Sequence, residues 1–237
     1  MKQYLIEQLE ANGIPCREEQ ADKIVAFHRA LCAWNENVNL TNITDDMESV
    51  QKHYLDSLQL LKSNISLEGR TIIDVGTGAG FPGLPLAVFC ESAHFTLLDS
   101  LNKRISFIES VKTELDIKNI HCVHMRSEDA AHKPVYRESF DIALSRAVAK
   151  LSILNEYLLP FVKTGGLSIA YKANVEEDEI KHADKSLYIL GGGKYQVFDV
   201  FLAGSNLTRK LVISQKIKPC PKQYPRKAGL PKKMPIE

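Results

Sequence analysis

The chain is predicted to be an α/β protein built on a mostly parallel sheet, and three observations predict it. After Gly69 short apolar runs alternate with helical patterns, which is how βαβ units read in sequence. The first of those runs ends in a glycine-rich turn that leads into a helix. The last two are joined by a connector too short for a parallel crossover, so they should pair antiparallel as a terminal hairpin. No internal repeat or low-complexity tract interrupts this order.

The first sixty residues read as helical. Ala21, Ile24, Val25, His28, Leu31 and Cys32 recur at helical spacing within 18–34 and predict a core-facing stripe. A polar connector rich in Asn and Thr, 35–44, follows; short polar side chains compete for backbone hydrogen bonds and favour turns. Thr44 or Asp45 should cap a third helix running to Leu61. Strands are then expected at 71–75, 94–98, 119–124, 140–144 and 167–171, with helices at 82–90, 101–115, 149–161 and 175–188. The glycines at 191–193 close the last helix. The hairpin runs 194–202 and 208–217 flank Ala203, Gly204, Ser205 and Asn206. This divides the chain into a helical segment 1–64 packed on the core, a central domain 65–217 and a basic, proline-rich tail 218–237.

At 237 residues, 44% hydrophobic and 25% charged, the chain has the composition of a globular protein with a real core. Its longest apolar stretch, Leu86 to Cys90, falls far short of the roughly 18 residues a membrane span needs, and Met1 to Ala11 is charged where a signal peptide is apolar. A cytoplasmic location is expected. Five scattered cysteines without a CxxC pair read as reduced thiols, and no metal site is expected. The net charge of +1 hides an asymmetry: from Thr208 onward nine Lys or Arg face Glu237 alone, so this end carries +8 and the remainder −7. Such a tail either meets a polyanion or is a solvated terminus.

The strongest motif is Asp74-Val-Gly-Thr-Gly-Ala-Gly-Phe-Pro-Gly83, a strand running into glycines and then a helix. Glycines admit positive φ and let the backbone approach a ligand, here at Gly76, Gly78 and Gly80. The turn falls at the carboxyl ends of the strands, where nucleotide-like ligands bind. Pro82 and Pro85 start the helix after the glycines, and Asp74 puts negative charge where a diphosphate would sit, so a cationic ligand suits the loop better. Asp99, ending the second strand, is placed to accept from ribose hydroxyls. Ser127 and Glu128 after the third strand either meet an adenine ring or form an ordinary loop.

These residues resemble those of class I S-adenosylmethionine-dependent methyltransferases, a Rossmann-like fold. DVGTGAGFPGLPLA at 74–87, LLDSLNKRISFI at 97–108, LSRAVA at 144–149, NLTNIT at 39–44, HYLDSL at 53–58 and YPRKAGLPKKMPI at 224–236 narrow the resemblance to the bacterial 16S rRNA guanine-N7 methyltransferases, the RsmG or glucose-inhibited division protein B family. The resemblance implies S-adenosylmethionine as cofactor, with contacts from Gly76, Phe81, Ser127, Glu128 and Arg146, and a guanine of 16S rRNA as acceptor. Ser127 departs from the alanine common in the family, with little consequence if its contact is through backbone.

Guanine N7 carries an unprotonated lone pair and needs placement, not a general base. The fourth strand fits that economy, ending Leu144-Ser145-Arg146-Ala147 with no cysteine and no Asn-Pro-Pro-aromatic string. Arg146, the candidate catalytic residue, should pair with an acidic group, meet the cofactor's carboxylate or reach an RNA phosphate. Arg226, Lys227, Lys232 and Lys233 are the expected RNA contacts. His53, Asp56 and Ser57 stand either at the cleft mouth or, for His53, on a helix surface. The chain is expected to act as a monomer on the small ribosomal subunit. The alternatives are a nicotinamide-dependent oxidoreductase using the same loop, and an RNA-binding module without activity.

Overall fold

The computed structural model describes residues 1–203 and 208–237, so most of the expected 203–206 connector lies outside the described residues. Its seven strands are β1 (Thr71–Val75), β2 (His94–Asp99), β3 (Ile120–His124), β4 (Phe140–Arg146), β5 (Val162–Lys172), β6 (Gln196–Phe201) and β7 (Thr208–Gln215). They form one sheet in the order β3-β2-β1-β4-β5-β7-β6, with β7 antiparallel to both β5 and β6 and every other pair parallel. The chain runs outward from β1 in both directions, so the order reverses between β1 and β4 and opens a crevice at their carboxyl ends.

Helices cover both faces: α1 (Lys2–Ala11), α2 (Glu18–Val38), α3 (Asp46–Ser49), α4 (Asp56–Leu58), α5 (Gly83–Phe89), α6 (Asn102–Glu114), α7 (Ser127–Ala130), α8 (Leu151–Leu158), α9 (Glu177–Ile189) and α10 (Leu230–Lys233). The amino-terminal helices share one apolar cluster with α5, α6 and the sheet, centred on Phe27, Tyr54, Phe81 and Phe107. A second cluster, with Leu98, Leu154, Leu158, Phe161 and Ala183, fills the opposite face under α8 and α9. The central strands β1, β2 and β4 are buried on both sides almost throughout, whereas the edge strand β3 exposes His121 and His124.

Four expectations are corrected. Helix α2 continues through Val38 and stops at Asn39, whose left-handed φ of 48° ends it; the connector therefore begins at Asn39, and Asn35 uses its side chain to hold Leu40 and Thr41. Asp45 does cap the third helix, accepting from Met47 and Glu48, but that helix is broken by a π turn over Val50–Leu55 and ends in a 3-10 turn, Gln59–Lys62. Strand β5 starts at Val162, because a register shift absorbs the polar 163–166, with Gly165 at φ 91°. Helix α8 stops at Leu158 and Pro160 sits in a closing 3-10 turn.

The chain beyond β7 returns over the α7 and α8 side instead of trailing into solvent. Arg137 donates to the carbonyls of Ala131, Cys220, Pro221 and Tyr224. Lys216, fully buried, pairs with Glu138 and donates to the carbonyl of Leu159.

Candidate active site

The crevice over β1 and β4 is a cleft of about 530 Å³. Its floor is the turn after β1. Gly76 donates to Leu98 O at 2.8 Å and takes φ 73°, and a Cβ there would stand 2.8 Å from Val148. Gly78, at φ 60°, donates its N–H to Asp99 Oδ2 at 3.0 Å. A side chain at Gly76 would thus crowd Val148, while Gly78 has open space and is fixed by its positive φ alone.

Asp74 does not reach the cleft. It is fully buried behind the loop, where Oδ2 accepts from Thr77 Oγ1 at 2.7 Å and from Gly83 N at 2.8 Å, while Oδ1 has no partner. Burial pushes its carboxyl up to about 6, against the pull of those two donors. Gly80 is likewise internal: its φ is 97° and a Cβ there would press on Leu84 at 3.1 Å and Ile108 at 3.7 Å. Both residues, read from the sequence as ligand contacts, brace the turn instead. The motif marks the loop, but only packing separates the peptides that face the ligand from those that face the core.

Asp99 lies on the cleft wall, 3% exposed. It accepts from Leu101 N at 2.9 Å and from Arg104 Nη1 at 3.2 Å besides Gly78, which fixes the carboxylate's plane. Further round, Ser127 Oγ donates to Glu128 Oε2 at 3.1 Å. Tyr157, Met125 and Arg126 complete that end. Phe81 lines the opposite end, and the His53 ring stacks on it at 4.5 Å with planes 15° apart. His53 is buried, not a surface residue; Nε2 meets Thr41 Oγ1 at 2.9 Å and Nδ1 has no partner. Burial, with the Arg146 charge behind it, pulls its pKa down to about 4, so the ring is neutral at pH 7.

Arg146 lies with its guanidinium 5.0 Å from the Phe81 ring centre and its Nη1 2.7 Å from Asp56 Oδ2. Asp56 also accepts from Arg209 Nε at 2.7 Å and from Gln59 Nε2 at 2.8 Å. Of the three outcomes expected for Arg146, the structure shows the pairing with an acid. Two guanidiniums share one carboxylate, leaving a net positive charge at the junction with a second cavity of about 440 Å³. That cavity shares His53 and Arg146 with the cleft and adds Lys52, Tyr171, Lys172 and Arg209. No cysteine lines either cavity among the described residues, and there is no cluster of three metal-ligating side chains among them.

The basic tail divides. Lys232 lines the cleft, and Lys227 and Lys233 are exposed beside it. Arg226 is turned inward: its Nε and Nη2 grip Glu156, a carboxylate with no exposed surface. Arg104, Thr41, Val148, Tyr157 and Gly229 line the cleft without having been singled out from the sequence. Arg104, Thr41, Val148 and Gly229 sit inside the motifs at 97–108, 39–44, 144–149 and 224–236, whose spacing marks the segments but not which side chains face the cleft; Tyr157 lies in none of them.

The family model described as GidB, rRNA small subunit methyltransferase G, matches residues 20–208. A protein named ribosomal RNA small subunit methyltransferase G from Clostridium botulinum strain Eklund 17B is 48% identical over 225 residues, 95% of this chain and 94% of its own length. One of the same name from Alkaliphilus metalliredigens is 42% identical over the same shares. Among solved structures, a SAM-dependent methyltransferase from Aquifex aeolicus superposes with a TM-score of 0.52 at 18% identity, covering 73% of this chain and 95% of that one. M. jannaschii TYW2 in complex with AdoMet gives 0.53 at 14% identity, over 74% and 80%. At such identities these structures speak for the fold, a Rossmann-like methyltransferase sheet.

Proposed function

The chain belongs to the rRNA small subunit methyltransferase G family, and on that premise we propose that it transfers the methyl group of S-adenosylmethionine to N7 of a guanine in 16S rRNA of the small ribosomal subunit. The observation that carries this is the cleft at the β1–β4 reversal, floored by the Gly76–Gly78 peptides and walled by the fixed Asp99 carboxylate.

The residues fit an adenosyl sulfonium. Asp99 would accept from the ribose hydroxyls, Ser127 and Glu128 would meet the adenine, and the positive-φ glycines would leave room for the methionine end. S-adenosylmethionine supplies a methyl group already activated on sulfur. What remains for the protein is alignment, worth on the order of 7 to 11 kcal/mol when it is complete. Asp56, bonded to Arg146 Nη1 at 2.7 Å and shared with Arg209, offsets only part of the guanidinium charge that Arg146 brings near a sulfonium. The second cavity, with its surplus of guanidinium charge, suits a nucleotide and its phosphate, and opens onto the cleft between His53 and Arg146. His53, neutral and stacked on Phe81, offers a flat uncharged surface to an incoming base and adds no cation where the purine becomes one. With no thiol in either cavity among the described residues, a lone-pair nitrogen that needs no proton removed is the acceptor this equipment suits best.

Incubation with 16S rRNA or small subunits and labelled S-adenosylmethionine should yield 7-methylguanosine on digestion. Label in another nucleoside would refute the N7 assignment. Calorimetric titration should show binding of S-adenosylhomocysteine and none of NADH; the reverse would install the oxidoreductase reading. The same proposal has the enzyme act as a monomer in the cytoplasm. No helix among the described residues is long and apolar enough to cross a membrane.

A further inference from the structure

One wall of the cofactor cleft is not part of the sheet or of its crossover helices. Gly229 and Lys232 line it, and both belong to the last turns of the chain. What holds them there is a buried carboxylate. Glu156, on α8, has no exposed surface, and its oxygens accept from the backbone N–H of Arg226 at 2.6 Å, from Nε at 2.9 and 3.1 Å and from Nη2 at 2.7 Å. A carboxylate so deep is costly unless paired and fully hydrogen-bonded, and the bidentate fork of arginine meets that demand. Its partner comes from seventy residues further along the chain.

Three residues beyond Arg226, the N–H of Gly229 donates to Glu128 Oε1 at 2.8 Å. Gly229 takes φ 81°, a conformation that side-chain-bearing residues avoid, and caps α10, which carries Lys232 to the cleft. Glu128 is therefore held from two sides, by Ser127 and by the carboxy-terminal segment. His132 Nε2 lies 2.8 Å from Pro225 O and fixes the segment just upstream of the ion pair.

We infer that Arg226 and Glu156 are positioning residues for methyl transfer: their ion pair docks the carboxy-terminal segment as a wall of the cofactor cleft, and cofactor affinity depends on that docking. The inference rests on the cleft being the S-adenosylmethionine site. It also reverses the role expected for Arg226, from phosphate contact to internal anchor. Arg226 touches neither ligand; it acts through Gly229 and Glu128. Because linkage is reciprocal, bound cofactor must in turn hold the segment down.

Full-length Arg226→Gln and Arg226→Lys proteins, titrated calorimetrically with S-adenosylhomocysteine, test this. Kd should rise about tenfold or more in Arg226→Gln, the effect of leaving only about a tenth of the molecules docked. Arg226→Lys, which keeps the charge and loses the fork, should lie between it and the parent. In steady state the rise should appear in KM for S-adenosylmethionine, with kcat at saturating cofactor within about twofold, because excess ligand redocks the segment. Hydrogen exchange on the unaltered chain provides a check that needs no variant: amides at 229 and 232–233 should slow when S-adenosylhomocysteine binds. Parent-like Kd in Arg226→Gln overturns the inference while the proposed function stands. If that variant does not fold, exchange at 229–233 that ignores the ligand overturns it equally. A parent chain that binds no S-adenosylhomocysteine removes the proposed function, and this inference with it.

Discussion

The glycine turn after β1 and the carboxy-terminal segment form two walls of one cleft, and they are built by opposite means. The turn is local. Its shape comes from positive φ at Gly76, Gly78 and Gly80 and from a buried acid, Asp74, that bonds within nine residues of itself. The segment has almost no internal structure beyond the single turn of α10, and is fixed by ties to residues far back in the chain: Arg226 to Glu156, Gly229 to Glu128, and Arg137 to a row of carbonyls. A wall made of backbone conformation and tied to the adjacent strand β2 is held at many points, whereas one that hangs on a few long-range ion pairs can be released by a single substitution. The first suits the constant part of the site and the second a part whose order can be coupled to ligand.

Substitutions should expose this contrast in order of size. The largest effect is expected at Asp99, which holds the turn through Gly78 and is the proposed ribose contact. Asp99→Ala should weaken S-adenosylhomocysteine binding about 100-fold or more, since two charge-assisted hydrogen bonds at about 1.5 to 3 kcal/mol each are lost. A calorimetric Kd within a factor of ten of the parent would show that the ribose is held elsewhere.

Next comes acid sensitivity, because the turn's surroundings hold two buried groups displaced in opposite directions. His53 stays unprotonated in the folded chain down to about 4, against 6.5 when unfolded. Its contribution is thus complete above pH 6.5 and is lost as pH falls through 4, by at most about 3 kcal/mol. Asp74 has the other sign: held near 6 against 3.8, it favours folding fully below pH 3.8, and that contribution is lost as pH rises through 6. Urea denaturation between pH 4 and 7 should therefore show His53→Gln losing less stability on acidification than the parent, and Asp74→Asn losing more. Profiles parallel to the parent's would mean that neither group is as buried as it stands here.

Gly83→Ala should cost about 2 kcal/mol in the same denaturation, as overpacking does. Its Cβ would overlap Leu97 and stand 2.8 Å from Asp74 Oδ2. An unchanged midpoint would make the tight packing of α5 on the turn incidental.

The smallest effects belong to the exposed lysines of the segment. Lys227→Ala and Lys233→Ala should each reduce the log-log salt slope of rRNA binding by about one while cofactor affinity stays put. Arg226→Gln should change cofactor affinity first, and a salt slope that moves in Arg226→Gln but in neither lysine variant would reverse the division of labour between them.

The sheet was legible because the central strands carry short apolar runs and the turns are punctuated by glycine, proline or a short polar residue, signals that act within a few positions. The glycine turn and Asp99 were legible for the same reason. The π turn at Val50–Leu55 was not, since nothing in its composition distinguishes it from the helix on either side. Arg226 was read as one more cation in a basic tail.

The sequence by itself determined the α/β order, the carboxyl-edge site and the family, because backbone conformation and apolar periodicity are properties of neighbouring residues. Only the tertiary structure decided that Asp74 faces inward, that His53 lies neutral against Phe81, and that Arg226 is spent on Glu156. Those outcomes depend on burial and on which distant charge arrives opposite. A buried ion pair links two positions that share no local pattern, and the free energy that fixes it exists only once the sheet has brought them together.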